Sequence, residues 1–119
     1  MARVVAFIPD LLFGSNVIGA LSAAGHDAVL VSDVQTLGAA LAGAEVVVVD
    51  LTFEPEVRLE QVGHVLAPST GSGPRTLAFY SHVESQVRDR AQAAGFDRVV
   101  PRSRMAREAP ALIRGLLDQ

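Results

Sequence analysis

Five apolar runs recur along the chain, separated by stretches in which apolar positions fall three or four residues apart. The runs are Arg3–Ile8, Ala28–Val31, Glu45–Leu51, Arg75–Ser81 and Asp97–Pro101. The first and third are rich in valine with almost no polar alternation. That pattern predicts strands covered on both faces. Between the runs, Val17, Leu21 and Ala24 keep helical spacing. So do Val34, Leu37 and Leu41, then Leu59, Val62 and Leu66, then Val83, Val87, Ala91 and Ala94. A last set, Leu112, Ile113, Leu116 and Leu117, completes five one-faced amphipathic helices.

Gly25, Gly43 and Gly95 each follow an alanine-containing last turn and precede a strand, where glycine takes the left-handed cap conformation cheaply. AAGHDAV and AAGFDRV are the same helix-to-strand joint used twice. Pro110 suits the first turn of the last helix, which assigns Arg102–Arg107 to a connecting turn. APSTGSGP, Ala67–Pro74, predicts a mobile loop between the third helix and the fourth strand. Regular strand–helix alternation predicts an α/β fold with a parallel sheet and right-handed crossovers. For five strands the expected arrangement is a doubly wound five-stranded parallel sheet of order 2-1-3-4-5, a flavodoxin-like (βα)5 sandwich.

A length of 119 residues suits a single domain spanning residues 1–119. Such a chain buries roughly two-thirds of its unfolded surface and needs no staples. Cysteine is absent, which excludes disulfides and thiolate metal sites. The N-terminal apolar run stops at Pro9-Asp10, too early for a signal segment or a membrane span, so a cytoplasmic location and no membrane partner are expected. A net charge of -3 offers no electrostatic case for nucleic acid. All ten basic residues are arginine, so any mechanism that needs a lysine ammonium is unavailable.

In sheets of this order ligands bind beyond the carboxyl ends of the strands, near the switch between the first and third. Pro9-Asp10, Ser32-Asp33, Asp50, Ser81-His82 and Pro101-Arg102 stand at those ends. Asp50 reads as a functional carboxylate or as a strand-end residue capping the next loop. Asp33 reads as the cap of the second helix. Asp10 reads as a metal or water ligand facing Asp50 across the switch. Gly14 reads as a tight-turn glycine, and His82 as a solvated loop residue or a ligand. No Gly-x-Gly-x-x-Gly or Walker pattern occurs, which disfavours a phosphate-containing cofactor.

VVVVDLT resembles the strand of response-regulator receiver domains that presents the phospho-accepting aspartate. RVVAFIPD resembles their first strand, which ends in a cation-binding acidic pair. LAFYSHVES resembles the fourth strand with its switch hydroxyl, and FDRVVPRS the fifth, where the family has Lys-Pro. The resemblance implies Asp50 as phospho-acceptor, Mg²⁺ at Asp10 and Asp50, and Ser81 and Arg102 as switch and phosphate-contact residues. It also implies no enzymatic activity and a protein partner, either a histidine kinase or a downstream regulator. A homodimer through the face of the fourth helix, fifth strand and fifth helix follows from the same resemblance.

The family pattern is incomplete. The first strand supplies Asp10 alone, after Pro9. The spacing leaves Tyr80 or Ser81 at the switch position, and Pro101 or Arg102 where the family has lysine. The expectation is therefore a stand-alone pseudo-receiver acting through protein–protein contact, with weak Mg²⁺ binding and poor phosphorylation of Asp50. The alternative is a small flavodoxin-like ligand-binding protein or enzyme built on Asp10, Asp50 and His82.

Overall fold

Valine runs and one-faced helices leave few ways to bury both, and the chain adopts the layered one. A computed structural model describes residues 2–66 and 73–119. Strands and helices alternate strictly: β1 (Arg3–Phe7), α1 (Leu11–Ala23), β2 (Asp27–Val31), α2 (Val34–Ala40), β3 (Val46–Asp50), α3 (Pro55–Val65), β4 (Arg75–Tyr80), α4 (Ser85–Ala93), β5 (Arg98–Pro101) and α5 (Arg102–Leu117). Four parallel pairings give the sheet the order β2-β1-β3-β4-β5, as the alternation predicts. Of the loop expected over Ala67–Pro74, residues 67–72 lie outside the described residues.

The sheet divides the interior into two cores. Val46 and Val48 of β3 point to one side, with Val4, Ala6 and Phe79, and meet α1 and α5 through residues such as Phe13, Val17, Met105 and Ile113. Val47 and Val49 point to the other, with Val5, Phe7 and Ala78, and meet Leu37 of α2, Val62 of α3, and Val87 and Ala91 of α4. Burial on both faces is why β3 carries no polar alternation.

Three expectations are corrected. Gly14 lies inside α1, not in a turn; a Cβ there would stand 2.7 Å from Leu30 Cδ1, so the glycine lets α1 sit close to β2. Val83 is 75% exposed in the turn before α4 rather than on its buried face. Arg102–Arg107 are helical. Pro101, with φ -65° and ψ 151°, leads into α5, and the helix absorbs Pro110 through a kink at Glu108, where φ is -128° and ψ is 19°. Proline removes a helical N–H donor, and a local break upstream relieves the clash, so the helix need not start at Pro110.

Gly25, Gly43 and Gly95 have φ of 93°, 79° and 97°, as the helix-stop reading requires. Gly19, by contrast, is an exposed helical position in α1 with open space around its missing Cβ. Gly95→Ala should therefore lower stability by about 1–2 kcal/mol, the cost of a left-handed non-glycine residue. Gly19→Ala should raise it by up to about 1 kcal/mol through helix propensity. Urea unfolding of the two variants beside wild type measures both, and effects of the same sign would contradict the assignment.

Candidate functional site

Asp50 is the last residue of β3 and is only 5% exposed, the one buried charged residue among the described residues. Taking a carboxylate out of water costs several kcal/mol unless donors replace the lost hydration. Two come from its own loop: Thr52 N donates to Asp50 Oδ1 at 2.8 Å, and Thr52 Oγ1 donates to the same oxygen at 2.5 Å. Leu51 N donates to Phe79 O at 2.8 Å, fixing the start of the loop against β4. The Asp-Leu-Thr spacing is that of an aspartate turn, in which a side chain bonds the backbone two residues on.

Asp10 is placed differently. It caps α1, with Phe13 N donating to its Oδ1 at 3.1 Å, as short polar residues do before a helix. Its Oδ2 lies 3.8 Å from Arg102 Nη2 at the start of α5. The Arg102 guanidinium carbon stands 4.0 Å from the centroid of the Phe13 ring. Phe13 in turn packs on Phe79, with centroids 5.2 Å apart and planes tilted by 45°. Phe79 is paired in register with Asp50. One chain of contacts thus runs from the cap of α1, across the mouth of the sheet, to the strand neighbour of the buried carboxylate.

The other predicted residues divide. Tyr80, buried, ends β4, and Ser81 lies just past the strand, where its carbonyl accepts a bond from Glu84 N at 2.8 Å. His82 is exposed in the following turn. Asp33 caps α2 as expected: Thr36 N donates to its Oδ1 at 2.7 Å. That backbone bond, with help from the Thr36 hydroxyl and Gln35 N–H, holds the Asp33 carboxyl below the usual range.

Three contributors carry no motif. Thr52 engages Asp50, and only its position two residues on could have signalled this. Phe13 reads as an ordinary core residue but also receives Arg102. Arg58 of α3 lays its guanidinium carbon 4.8 Å from the Phe7 ring centroid, and Arg58 Nη1 donates to Gln61 Oε1 at 3.2 Å. Its Nε is buried without a hydrogen-bond partner among the described residues.

A divalent cation of the Mg²⁺ type needs several oxygen ligands converging in octahedral geometry. Among the described residues no group of three or more His, Asp or Glu is arranged to hold a metal. The end of β1 offers Ile8, fully buried in the core, and then Pro9, neither of which is a side-chain ligand. Asp10 is engaged by the α1 backbone and Arg102, and Asp50 Oδ1 by Thr52. These residues do not fit a dedicated divalent-cation site. No helix among the described residues is long and apolar enough to cross a membrane.

No family model matches the sequence, and no curated protein matches it. The backbone, however, is similar to solved structures. A response regulator from Thermotoga maritima superposes with a TM-score of 0.83 at 14% identity, covering 100% of this chain and 99% of that one. A response regulator receiver domain protein from Clostridium thermocellum gives 0.78 at 11% identity, covering 99% and 95%. An atypical orphan response regulator, described as having a phosphorylation-independent regulatory mechanism, gives 0.72 at 16% identity, covering 98% and 95%. At these identities the likeness establishes the fold.

The Asp10–Arg102–Phe13 contact generates a stability test. Asp10→Ala should cost about 1 kcal/mol through the lost cap. Asp10→Asn, which keeps a capping oxygen, should cost less. Both groups of the ion pair are half exposed, so a double-mutant cycle with Arg102→Ala should give a coupling below about 1 kcal/mol that shrinks with salt. A coupling that is absent at low salt would remove the contact from the site.

Proposed function

We propose that this chain is an atypical receiver module, acting in signal transduction through protein–protein contact and not through efficient phosphoryl chemistry. The observation that carries the reading is Asp50: a buried carboxylate at the carboxyl end of the central strand, where no group of three or more His, Asp or Glu among the described residues converges to hold a cation. A phosphoryl group arriving there would add negative charge beside a carboxylate with no lysine in the whole chain to offset it. Arg102 is the substitute this reading assigns, but its guanidinium faces Asp10 and the Phe13 ring. Arginine and lysine are not equivalent in reach or geometry. Ser81, just past β4, is the residue this reading assigns as the switch hydroxyl.

The likeness to response regulators supports this reading at the level of fold. Asp10, Asp50 and His82 are a weaker basis for a catalytic site, since the first two direct their hydrogen bonds to Phe13 and Thr52. The partner in this reading is a protein, either a histidine kinase or a downstream regulator.

Incubation with a small phosphodonor and Mg²⁺, followed by intact-mass and acid-lability measurements, tests the chemistry. Labelling far below that of a complete receiver is expected, and millimolar Mg²⁺ should leave the melting temperature unchanged. Efficient acid-labile labelling abolished by Asp50→Asn would overturn the proposal.

The same reading includes self-association through the α4–β5–α5 face, where Glu84, Arg88, Asp89 and Arg98 supply charges of both signs. Arg88 already lies 3.4 Å from Asp89, and Arg90 pairs with Glu56 of α3. An interface built on such exposed charges should weaken as salt rises, because they are screened over about 8–10 Å at ordinary ionic strength. Light scattering on concentrated protein at low and high salt measures it. A strict monomer in both conditions would leave only a heterologous partner.

A further inference from the structure

Large apolar side chains that face water are unevenly distributed over the described residues. Leu11 and Leu12 are 72% and 75% exposed, Phe53 71%, Val57 49% and Val83 75%. All five sit in the loops or first helical turns at the carboxyl end of the sheet, and none lies on α4, β5 or α5. Single exposed hydrophobics are ordinary, whereas a cluster at one end of a small domain marks an interaction surface.

One of the five, Val83, lines a notch, and two more, Phe53 and Val57, adjoin its α3 wall in sequence. The start of α3 faces α4, joined to it by the ion pair between Glu56 and Arg90 in the last turn of α4, and the two enclose a cavity of about 280 Å³ lined by Pro55, Val83 and Val87 together with Glu56, Glu84 and Arg90. Phe53 and Val57 flank Pro55 and Glu56 on the α3 side. The backbone holds this arrangement under strain: Glu54, between Phe53 and Pro55, has φ 46° and ψ 56°, the left-handed conformation in a residue with a Cβ. Among the described residues it is the only non-glycine residue so placed. Strain of this kind persists where surrounding structure enforces it, and it gathers at functional segments.

The charge at the notch has one sign in excess. Glu54 and Glu84 occupy the cap positions of α3 and α4, yet neither makes a side-chain capping bond and neither is in an ion pair among the described residues. Arg90 is engaged by Glu56. Acidic groups at helix starts complement the helix dipole, which accounts for the carboxylates but not for the apolar side chains between them.

We infer that the notch between the starts of α3 and α4 docks a basic segment of a partner protein. The segment seats an apolar side chain against Val83 and Pro55, with Phe53 and Val57 at the edge of the seat, and sets arginine or lysine against Glu54 and Glu84. Apolar burial supplies the anchor, and the acidic pair supplies steering and register. Docking of this kind requires no phosphoryl group at Asp50, and it meets the α4–β5–α5 face only at the start of α4, where Glu84 stands.

A fluorescent amphipathic peptide of leucine and lysine is the probe, with a leucine–glutamate analogue and a serine–lysine analogue as controls. Anisotropy should report binding of the leucine–lysine peptide alone, with backbone NMR shifts centred on Phe53 and Val83. Phe53→Ser/Val83→Ser, both exposed sites, should weaken it by about tenfold or more while the melting curve stays that of wild type. Glu54→Gln/Glu84→Gln should slow association and flatten its salt dependence. Wild-type affinity in the serine variant, or equal binding of either control peptide, would overturn the inference. So would a homodimer abolished by the serine variant, which would make the occupant a second copy, or capture of the protein by anionic vesicles.

Discussion

Val46–Asp50 is buried on both faces of the sheet, so every side chain along it must find its partners inside the protein. Four valines do this by packing, two into each core. The fifth residue cannot, because a carboxylate in an apolar layer is unstable without donors. Two hydrogen bonds from Thr52 supply them, each contributing about 1.5–3 kcal/mol when the acceptor is charged. The turn that brings Thr52 back to Asp50 fixes the exit of β3. That exit leads through Phe53 and Glu54 to Pro55, so the strained start of α3 lies directly downstream of the buried charge.

Charge compensation at the neighbouring strand end follows a different route. The resemblance to receiver domains implies a divalent cation between carboxylates at the ends of β1 and β3. Here Pro9 precedes the one acidic residue, Asp10, which meets a guanidinium contributed by α5. Arginine suits the task because it can face a carboxylate and an aromatic ring at once, and Arg102 does both. At 3.8 Å and half exposed, the pair is weak in isolation. Its consequence is geometric: it ties the starts of α1 and α5 together without needing a metal.

Patterns of apolar residues were enough to read the strand and helix order, the switch between β1 and β3, the three glycine stops and the Asp33 cap, because each depends on local chemistry or on period. The α5 boundary departs from the start signal that Pro110 gives, because tertiary packing of Met105 and Ala109 holds the preceding turns helical across the kink. Gly14 was misread because close approach of a helix to a strand leaves no local trace. Asp50 and Asp10 were legible as strand-end carboxylates, but their partners were not. Thr52 is two residues away and Arg102 ninety-two, and only the fold brings the second into contact.

The two ends of the sheet differ in a way that bears on function. At the amino end the helix-to-strand joints repeat one solution, a glycine with positive φ after α1, α2 and α4. At the carboxyl end the joints follow three solutions. Asp10 and Asp33 cap their helices with side-chain bonds, Pro101 enters α5 by its fixed φ, and Glu54 and Glu84 stand at cap positions without capping. A joint under pressure for stability alone would favour the side-chain cap in every case, since serine or aspartate there contributes about 1 kcal/mol. Two glutamates forgo it, one in a left-handed conformation, and leave their carboxylates to the helix dipole and to whatever meets this face. The carboxyl end of a doubly wound sheet is where ligands meet the fold. In this chain, one oxygen of buried Asp50 is held from within by Thr52, and the starts of α3 and α4 present apolar and acidic side chains outward.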